Sequence, residues 1–305
     1  MSNQTQIGFI GLGKMGWPMA KRLVEAGYSL RVLEADQERC AEFVAQVGGV
    51  SYANAKALAQ ASNVIITILP TSAIVQTVLE GPDGVLAGLQ PNTVLVEMSS
   101  GVPSITRHLA QQVTEAGGQL VDAPVSGGVP RAKTGELSIM FGGSDVLLTT
   151  LTPILRCMGQ AIEPTGEVGS AHAMKALNNL VSAGGFLIGV EALLIGKRFG
   201  LSPEKMVDVL NASTGMNNST QKKFKQFVLS GKFNSGFGLD LMVKDLSIAL
   251  GIAHETGTPT PFSALCRELW AASAQLLGPN QDHTAVAKLS ERLAGDSLSE
   301  PSEPK

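Results

Sequence analysis

The sequence predicts an α/β protein, in which a doubly wound parallel sheet is followed by a long helix and an all-α C-terminal domain. Three observations support this fold class. Short apolar runs that end in turn residues alternate with helical patterns through the first half, which is typical of βαβ units. A long apolar segment, 166–200, comes next. Strand patterns are absent beyond it, so we expect only helices there.

The first apolar run, 7–10, ends in the glycine loop GLGKMG and continues into a helical pattern. In such a loop Gly11 makes a tight turn, Gly13 lets the backbone approach a pyrophosphate, and Gly16 lets helix and strand pack closely. Glycine-rich turns are common, so the loop alone is weak evidence for a dinucleotide site. The neighbouring strands supply the context that strengthens it.

The second run, Ser29–Leu33, ends in Glu34, at the distance from the loop where an acid binds the adenosine ribose hydroxyls. A carboxylate there would repel the 2′-phosphate of NADP, so Glu34 favours NAD and makes NADP the less favoured cofactor. Arg31 or Arg39 could still accommodate that phosphate. Taken by itself, Glu34 could also be only a solvated strand end.

Further strands are predicted at 63–69, Val94–Glu97 and 119–121. Ligands of a doubly wound sheet lie beyond the carboxyl ends of its strands, so the residues that follow these runs are candidates to line a cofactor cleft. After the third run, the turn of Ser126, Gly127 and Gly128 can direct backbone N–H groups inward and bind a small carboxylate. A tight glycine loop without a ligand is the alternative.

The segment 166–200 carries Lys175, Asn178 and Asn179 on one helical face. These residues and Glu191 argue against a membrane span, which needs about 20 predominantly apolar residues. A plain central helix whose lysine reaches the surface is the other alternative. His172 precedes Lys175 by one turn, and we expect an exposed or hydrogen-bonded role for it.

Length and composition set the domain organisation. The 305 residues and 31.8 kDa suggest two domains, 1–165 and 166–295, followed by a polar tail, 296–305, expected to be disordered. The second domain should contain helices at about 202–212, 220–229, 239–256, 261–276 and 284–293.

The same data exclude several classes of function. The net charge of −3 and the dispersed basic residues predict no nucleic-acid or membrane partner. Three isolated cysteines and four scattered histidines predict no disulfide framework and no metal site. The N-terminus shows neither a signal nor a transit peptide pattern, so we expect a cytoplasmic protein.

Four motifs in this order, GFIGLGKMGWPMAKRL, DAPVSGGVPRAKTGELSIMFGG, GEVGSAHAMKALNNL and LMVKDLSIAL, resemble the β-hydroxyacid dehydrogenase family. This family includes 3-hydroxyisobutyrate, tartronate-semialdehyde and threonate dehydrogenases. The similarity runs over about 7–293. It implies an N-terminal Rossmann domain, a long linking helix, and an all-helical domain through which a homodimer or homotetramer forms.

The resemblance also implies roles for individual residues. Lys175 matches the catalytic lysine and Asn179 the asparagine that orients the substrate. The carboxylate site corresponds to Ser126, Gly127 and Gly128, with Phe237 as the aromatic residue upstream of the lysine at 244. The cofactor contacts would be Gly11, Leu12, Gly13, Met15, Gly16, Glu34, Leu69, Pro70, Ser100 and Lys244.

Two departures from the family pattern bear on the substrate. Arg131 stands where many members have glycine, and the segment TGMNNS at 214–219 is unusually polar. Both favour a polyhydroxylated or amino-bearing acid.

The expected reaction is hydride transfer between nicotinamide and the β-carbon of a small 3-hydroxy acid, with Lys175 exchanging the hydroxyl proton. An apolar cleft and the charge of Lys244 would bring the pKa of Lys175 down toward neutrality. The candidate substrates are 3-hydroxyisobutyrate, threonate, serine, and tartronate semialdehyde or glycerate. The direction of the reaction stays open.

Three alternatives remain at this point. An imine reductase shares the two-domain plan but typically lacks the lysine proton carrier. A phosphogluconate-type dehydrogenase would call for a denser cluster of arginine and lysine than Arg131 alone. A non-catalytic nucleotide-sensing protein could retain the fold, although the presence of Lys175, Asn179 and the Ser126 turn together argues against it.

Overall fold

The structure of the protein is a computed structural model that describes residues 5–299. The chain forms two compact units, Met1–Lys175 and Ala176–Lys305. The boundary falls inside the long helix Ser170–Arg198, whereas the sequence-based boundary at 165/166 lies before that helix begins. The first turn of the helix therefore belongs to the N-terminal unit.

Within the described residues, the N-terminal unit contains a nine-stranded sheet. Strands β1 to β9 are Gln6–Ile10, Ser29–Leu33, Val50–Ser51, Val64–Thr67, Val94–Glu97, Gln119–Asp122, Val125–Ser126, Leu137–Gly142 and Gly159–Gly166. They lie in the order β3-β2-β1-β4-β5-β6-β8-β7, and β9 pairs with β8. Strands β1 to β6 are parallel, which confirms the predicted doubly wound sheet.

The last strands depart from the parallel pattern. Strand β8 is antiparallel to both β6 and β7. A parallel connection needs a crossover of about a dozen residues or more. The connection between β7 and β8 is built around a helix of 7 residues, Gly128–Thr134, and is too short to return the chain in parallel. Strand β7 is the last in this order, so the Ser126 turn lies at the edge of the sheet.

Helices cover both faces of the sheet. Helices α1 to α8 are Gly16–Glu25, Gln37–Gln46, Ala55–Gln60, Ser72–Glu80, Val85–Gly88, Pro103–Glu115, Gly128–Thr134 and Asp145–Leu155. Alternate residues of β1 enter different cores: Ile7 and Phe9 belong to one, and Ile10 belongs to the other. This two-sided burial explains why the strands read as continuous apolar runs rather than as alternating ones.

The C-terminal unit is helical. Helix α9 is Ser170–Arg198, and α10 to α14 are Pro203–Asn211, Asn218–Lys222, Leu239–Glu255, Pro261–Leu277 and Ala287–Ala294. A π-helix, Phe224–Leu229, follows α11, and a 3₁₀ turn, His283–Val286, precedes α14. The five predicted helices all form, and two of them are divided between helix types. Pro203 begins α10, and the side chain of Ser202 before it makes no capping hydrogen bond.

Helix α9 is long and apolar enough to cross a membrane by length and composition alone. Phe186 and Val190 of this helix nevertheless lie fully buried in the helical unit. The ring of Phe186 packs 5.3 Å from that of Phe224 and 6.0 Å from that of Trp270, centroid to centroid. A helix buried on one face among aromatic side chains is a core helix, in agreement with its charged and amide residues.

The predicted disordered tail begins too early. Lys197 Nζ donates to Asp296 Oδ1 at 2.7 Å, and Leu298 is buried in the core of the helical unit. An apolar side chain and an ion pair thus hold residues 296–299 in place. The remainder of the predicted tail, 300–305, lies outside the described residues.

Candidate active site

The glycine loop after β1 has the geometry of a dinucleotide cradle. Gly11 has φ +103°, and a Cβ on it would lie 2.3 Å from the carbonyl oxygen of Ile68. A Cβ on Gly16 would lie 1.9 Å from the carbonyl oxygen of Gly11, whereas one on Gly13 would meet nothing within 4 Å. Two glycines are therefore required by packing. The third leaves open space where a pyrophosphate fits against the start of α1.

Glu34, at the end of β2, is held against this loop. Its Oε2 accepts from the backbone N–H of Leu12 at 2.6 Å, and its Oε1 accepts from that of Asp36 at 3.2 Å. The loop borders a cavity of about 470 Å³ that Arg39 also lines. Arg39 pairs with Asp36 at 3.4 Å. Leu12, which lines this cavity, is thus bound to the carboxylate of Glu34, and the arginine of the cavity already has an acidic partner.

The turns after β4 and β5 are joined to each other. The backbone N–H of Leu69 donates to Ser99 Oγ at 2.8 Å, and the backbone N–H of Ser99 donates to Glu97 Oε1 at 3.0 Å. Leu69 also reaches the glycine loop, since a Cβ on Gly11 would lie 3.1 Å from its Cδ2. Pro70 and Ser100 follow these contacts directly in the chain. The structure therefore joins the turns after β1, β4 and β5, which carry the predicted cofactor residues Gly11, Leu69 and Ser100.

The predicted carboxylate turn is strained in the way that only glycine allows. Gly127 has φ +133° and Gly128 has φ +67°, and α7 begins at Gly128. The side chain of the exposed Arg131 folds back over this turn, because a Cβ on Gly127 would lie 2.7 Å from its Cδ. A helix N-terminus with an arginine above it suits an anion.

Helix α9 carries both predicted catalytic residues one turn apart. Lys175 is 8% exposed and Asn179 is 7% exposed. Lys175 is the last residue of the N-terminal unit and Asn179 belongs to the helical unit. A lysine is seldom so buried without a specific reason.

In the helical unit, Asn179 is fixed by a residue that sequence reasoning missed. Its Nδ2 donates to Asp245 Oδ2 at 2.6 Å, and Lys244 Nζ lies 3.4 Å from Asp245 Oδ1. Asp245 is buried, so one carboxylate joins two of the predicted residues. Phe237 packs edge-on against His283, with 5.5 Å between ring centroids. Asp245 follows Lys244 directly in the motif KDL, and that adjacency is the signal that could have identified it.

A small cavity lies beside the next turns of α9. Its volume is about 130 Å³, and Asn178, Val181 and Ser182 of α9 line it. The opposite wall is formed by Asn217, Asn218 and Ser219, from the polar segment that the sequence singled out. Three asparagines and two serines thus line this space together with apolar surface.

A buried ionic cluster in the N-terminal unit was also missed. His172 Nε2 lies 2.9 Å from Glu97 Oε2, and the backbone N–H of His172 donates to Asp122 Oδ2 at 2.8 Å. All three residues are almost fully buried. His172 is therefore hydrogen-bonded as predicted, and it is not exposed. Two signals in the sequence were available. An acid ends each of the neighbouring apolar strands β5 and β6, and a histidine precedes Lys175 by one helical turn.

The cluster changes the pKa of His172 and the pKa of Glu97. Burial alone would lower the pKa of His172, but contact with Glu97 and the charges of Glu97 and Asp122 outweigh it and raise that pKa. Burial alone would raise the pKa of Glu97, and the contact with His172 and the hydrogen bonds from Ser99 hold it below its ordinary value instead. Both shifts favour the ion pair. Within residues 5–299, no group of three or more His, Cys, Asp or Glu side chains is arranged to hold a metal ion.

Comparisons with known proteins cover nearly the whole chain. Residues 6–168 match the family described as the NAD binding domain of 6-phosphogluconate dehydrogenase, and residues 169–290 match the family described as NAD-binding of NADP-dependent 3-hydroxyisobutyrate dehydrogenase. The chain is 38% identical over 299 residues to 2-(hydroxymethyl)glutarate dehydrogenase of Eubacterium barkeri, covering 98% of this chain and 99% of that one. It is 34% identical over 277 residues to mitochondrial 3-hydroxyisobutyrate dehydrogenase of Mus musculus, covering 88% and 82%.

A solved structure agrees with these relatives. Mycobacterium tuberculosis 3-hydroxyisobutyrate dehydrogenase, solved with L-serine, superimposes with a TM-score of 0.86 at 30% identity, covering 93% of this chain and 98% of that one.

Proposed function

The chain belongs to the β-hydroxyacid dehydrogenase family and is a nicotinamide-dependent dehydrogenase acting on a CH–OH group, and from this premise we propose that its substrate is a small 3-hydroxy acid and that Lys175 is the general acid/base. The observation that carries the proposal is the burial of Lys175 on α9, one turn before Asn179. A buried amine next to a fixed amide is suited to exchanging a proton with an alcohol.

The predicted site residues have the following roles in the proposed reaction. The loop at Gly13 holds the pyrophosphate, and Glu34 accepts from the adenosine ribose hydroxyls. When bound, the nicotinamide ring accepts or returns the hydride. On oxidation, Lys175 Nζ takes the hydroxyl proton as the β-carbon becomes a carbonyl, and on reduction it gives that proton back. The N–H groups of the Ser126 turn hold the carboxylate, and Asn179 orients the reacting groups.

We propose NAD rather than NADP as the preferred cofactor. The carboxylate of Glu34 is fixed by two backbone N–H groups and cannot turn away from a 2′-phosphate without leaving them unsatisfied. Arg39 is paired with Asp36, and Arg31 donates to Gln6 Oε1 at 2.5 Å. Arg39 therefore already has an acidic partner, and Nη2 of Arg31 is bound to Gln6.

The substrate carries a second polar or acidic group in this proposal. Arg131 places a cation over the carboxylate turn, and three asparagines and two serines are among the residues that line the cavity beside α9. The Eubacterium barkeri relative is named for a hydroxymethyl derivative of glutarate, which is a dicarboxylate. We therefore place 2-(hydroxymethyl)glutarate beside threonate, serine, and tartronate semialdehyde or glycerate as candidates, ahead of 3-hydroxyisobutyrate.

We also propose that the chain forms a homodimer or homotetramer through its helical unit. Leu177, Val181, Ile188 and Ile195 are exposed and recur on one face of α9. Phe262 and Leu265 of α13 are exposed as well. Apolar side chains repeated along a helix face mark an interaction surface. The three free cysteines fit a reducing compartment, and a cytoplasmic location is part of this proposal.

The test is a purified-protein assay of these acids against NAD and NADP, with Lys175→Ala as the comparison. We expect turnover with NAD, and about a 10²- to 10⁴-fold loss of kcat in the variant with cofactor binding retained. Normal turnover by the variant would exclude Lys175 as the proton carrier. Turnover of cyclic imines in place of hydroxy acids would redirect the assignment to imine reduction. Size-exclusion chromatography with light scattering tests the oligomer, and a monomer would exclude it.

A further inference from the structure

The Glu97–His172–Asp122 cluster joins three elements of the N-terminal unit. Glu97 ends β5, Asp122 ends β6, and His172 lies in the first turn of α9. Besides its bond to His172, Asp122 accepts from the backbone N–H of Gly169 at 2.7 Å through Oδ1. The ends of β5 and β6 therefore hold the start of α9 by hydrogen bonds to its backbone and by contact with the imidazole ring.

The contacts of the two ring nitrogens favour the protonated form of His172. Thr106 Oγ1 donates its one hydrogen to the carbonyl oxygen of Val102 at 3.1 Å. It can then only accept from His172 Nδ1, which lies 2.7 Å away. The other ring nitrogen, Nε2, faces a carboxylate oxygen of Glu97 at 2.9 Å. This arrangement, together with the raised pKa of His172 that contact with Glu97 causes, favours the imidazolium form.

The ring also contacts the turn after β5. A Cβ on Gly101 would lie 2.8 Å from both Cε1 and Nδ1 of His172, so the backbone of this turn rests directly on the imidazole. Through Glu97, the same cluster fixes the N–H of Ser99, and Ser99 Oγ in turn fixes Leu69. His172 is thus in contact with the segment that carries the predicted cofactor residue Ser100.

Lys175 lies three residues beyond His172 on the same helix. Residues with this spacing have Cβ atoms about 5–6 Å apart. We propose that His172 is a positioning residue that fixes the first turn of α9 against the strand ends and offsets the charge of Glu97 and Asp122 beside Lys175. This inference rests on the proposed role of Lys175, through which His172 acts.

The charges around the ring are few. Glu97 of β5 and Asp122 of β6 are the acids, and Arg107 of α6 lies beside Gly169, where a Cβ would come within 3.3 Å of its Nη1. Thr106 of α6 and the backbone of Ser99 are further polar contacts of the ring. Replacing His172 by a neutral residue leaves both carboxylates uncompensated, which favours the protonated form of a lysine nearby.

The test compares His172→Gln with His108→Gln, an exposed histidine on α6, in the intact protein. For His172→Gln we expect a fall in kcat of about ten- to a hundredfold with a smaller change in KM for the acid, and a shift of the half-maximal pH of oxidation upward by about one unit. The His108→Gln control should match the wild type in each respect. A fall in kcat and thermal stability with an unmoved pH profile would make His172 only structural and overturn the proposal.

A measurement on the wild-type protein tests the proposal even if the His172→Gln variant does not fold. In protein labelled with ¹⁵N-histidine, one side chain should stay doubly protonated as the pH rises past the ordinary histidine pKa of about 6.5, and His172→Gln should remove its signals where it folds. Four rings that lose a proton at or below that pH would overturn the proposal. The Lys175→Ala assay distinguishes a failure of the proposed function from a failure of this inference. An active Lys175→Ala variant would reject the proposed function. An inactive Lys175→Ala variant, together with a His172→Gln variant that behaves like the wild type, would reject only the role of His172.

Discussion

Asn179 and Asp245 form a buried pair in which the amide donates to the carboxylate at 2.6 Å. Asn178 Nδ2 donates to the amide oxygen of Asn179 at 3.1 Å. Since a carboxylate can only accept, Asn179 is fixed in one orientation. It has a single N–H left with which to orient a substrate.

Removing the carboxylate should release this amide. For Asp245→Ala we expect destabilisation by about 1–3 kcal/mol, because Asn179 keeps a buried donor without an acceptor. We also expect about a tenfold fall in kcat. Asp240→Ala, which removes an exposed acid from the same helix, is the matched control and should change each value little. Unchanged kcat in Asp245→Ala would show that the orientation of Asn179 is not needed.

Gly13 and Gly16 of the loop motif should respond differently to a methyl group. At Gly13 the added Cβ meets open space, so Gly13→Ala should fold normally and raise the KM for NAD by obstructing the pyrophosphate. At Gly16 it collides with the backbone, so Gly16→Ala should lower the melting temperature. Thermal unfolding and cofactor titration distinguish the two effects. Wild-type NAD binding by Gly13→Ala would contradict the cradle.

Arg131 should discriminate among substrates. Arg131→Ala is expected to raise KM about tenfold or more for acids with a second anionic group, since a charge-assisted contact is lost. Its effect on 3-hydroxyisobutyrate should be small. Lys133→Ala removes another exposed cation of α7 and serves as the control. Equal losses on both classes of acid would place Arg131 at the common carboxylate instead.

His283 should make the protein sensitive to acid. Burial, aided by the charge of Lys223 and opposed by that of Asp282, lowers the pKa of His283 from 6.5 to about 4. The unfolded chain takes up this proton below about pH 6.5, and the folded protein does so only near pH 4. Stability is therefore complete above pH 6.5 and decreases by roughly 3 kcal/mol as pH falls to 4. Denaturant unfolding of His283→Gln should show a shallower decrease over this range, while the exposed His254→Gln should follow the wild type.

Local signals in the sequence were sufficient for much of the fold and site. The strand Val94–Glu97 and the start of α10 at Pro203 follow from apolar runs and proline chemistry, which act within a few residues. The antiparallel pairing of β8 and the Asn179–Asp245 bond depend on contacts between distant segments, and no periodicity encodes them. The charged ends of β5 and β6 were visible, but their partner on α9 emerges only when the sheet is assembled.

The bonds of Asp122 to Gly169 and His172 also affect the order in which the chain can fold. The first turn of a helix leaves its N–H groups without partners in the helix, and here the cap comes from a strand about fifty residues earlier in the chain. We therefore expect the turn that leads to Lys175 to be fully ordered only when β6 is part of the sheet. A fragment that begins at residue 166 would lack this cap, and its α9 should fray at the N-terminal end.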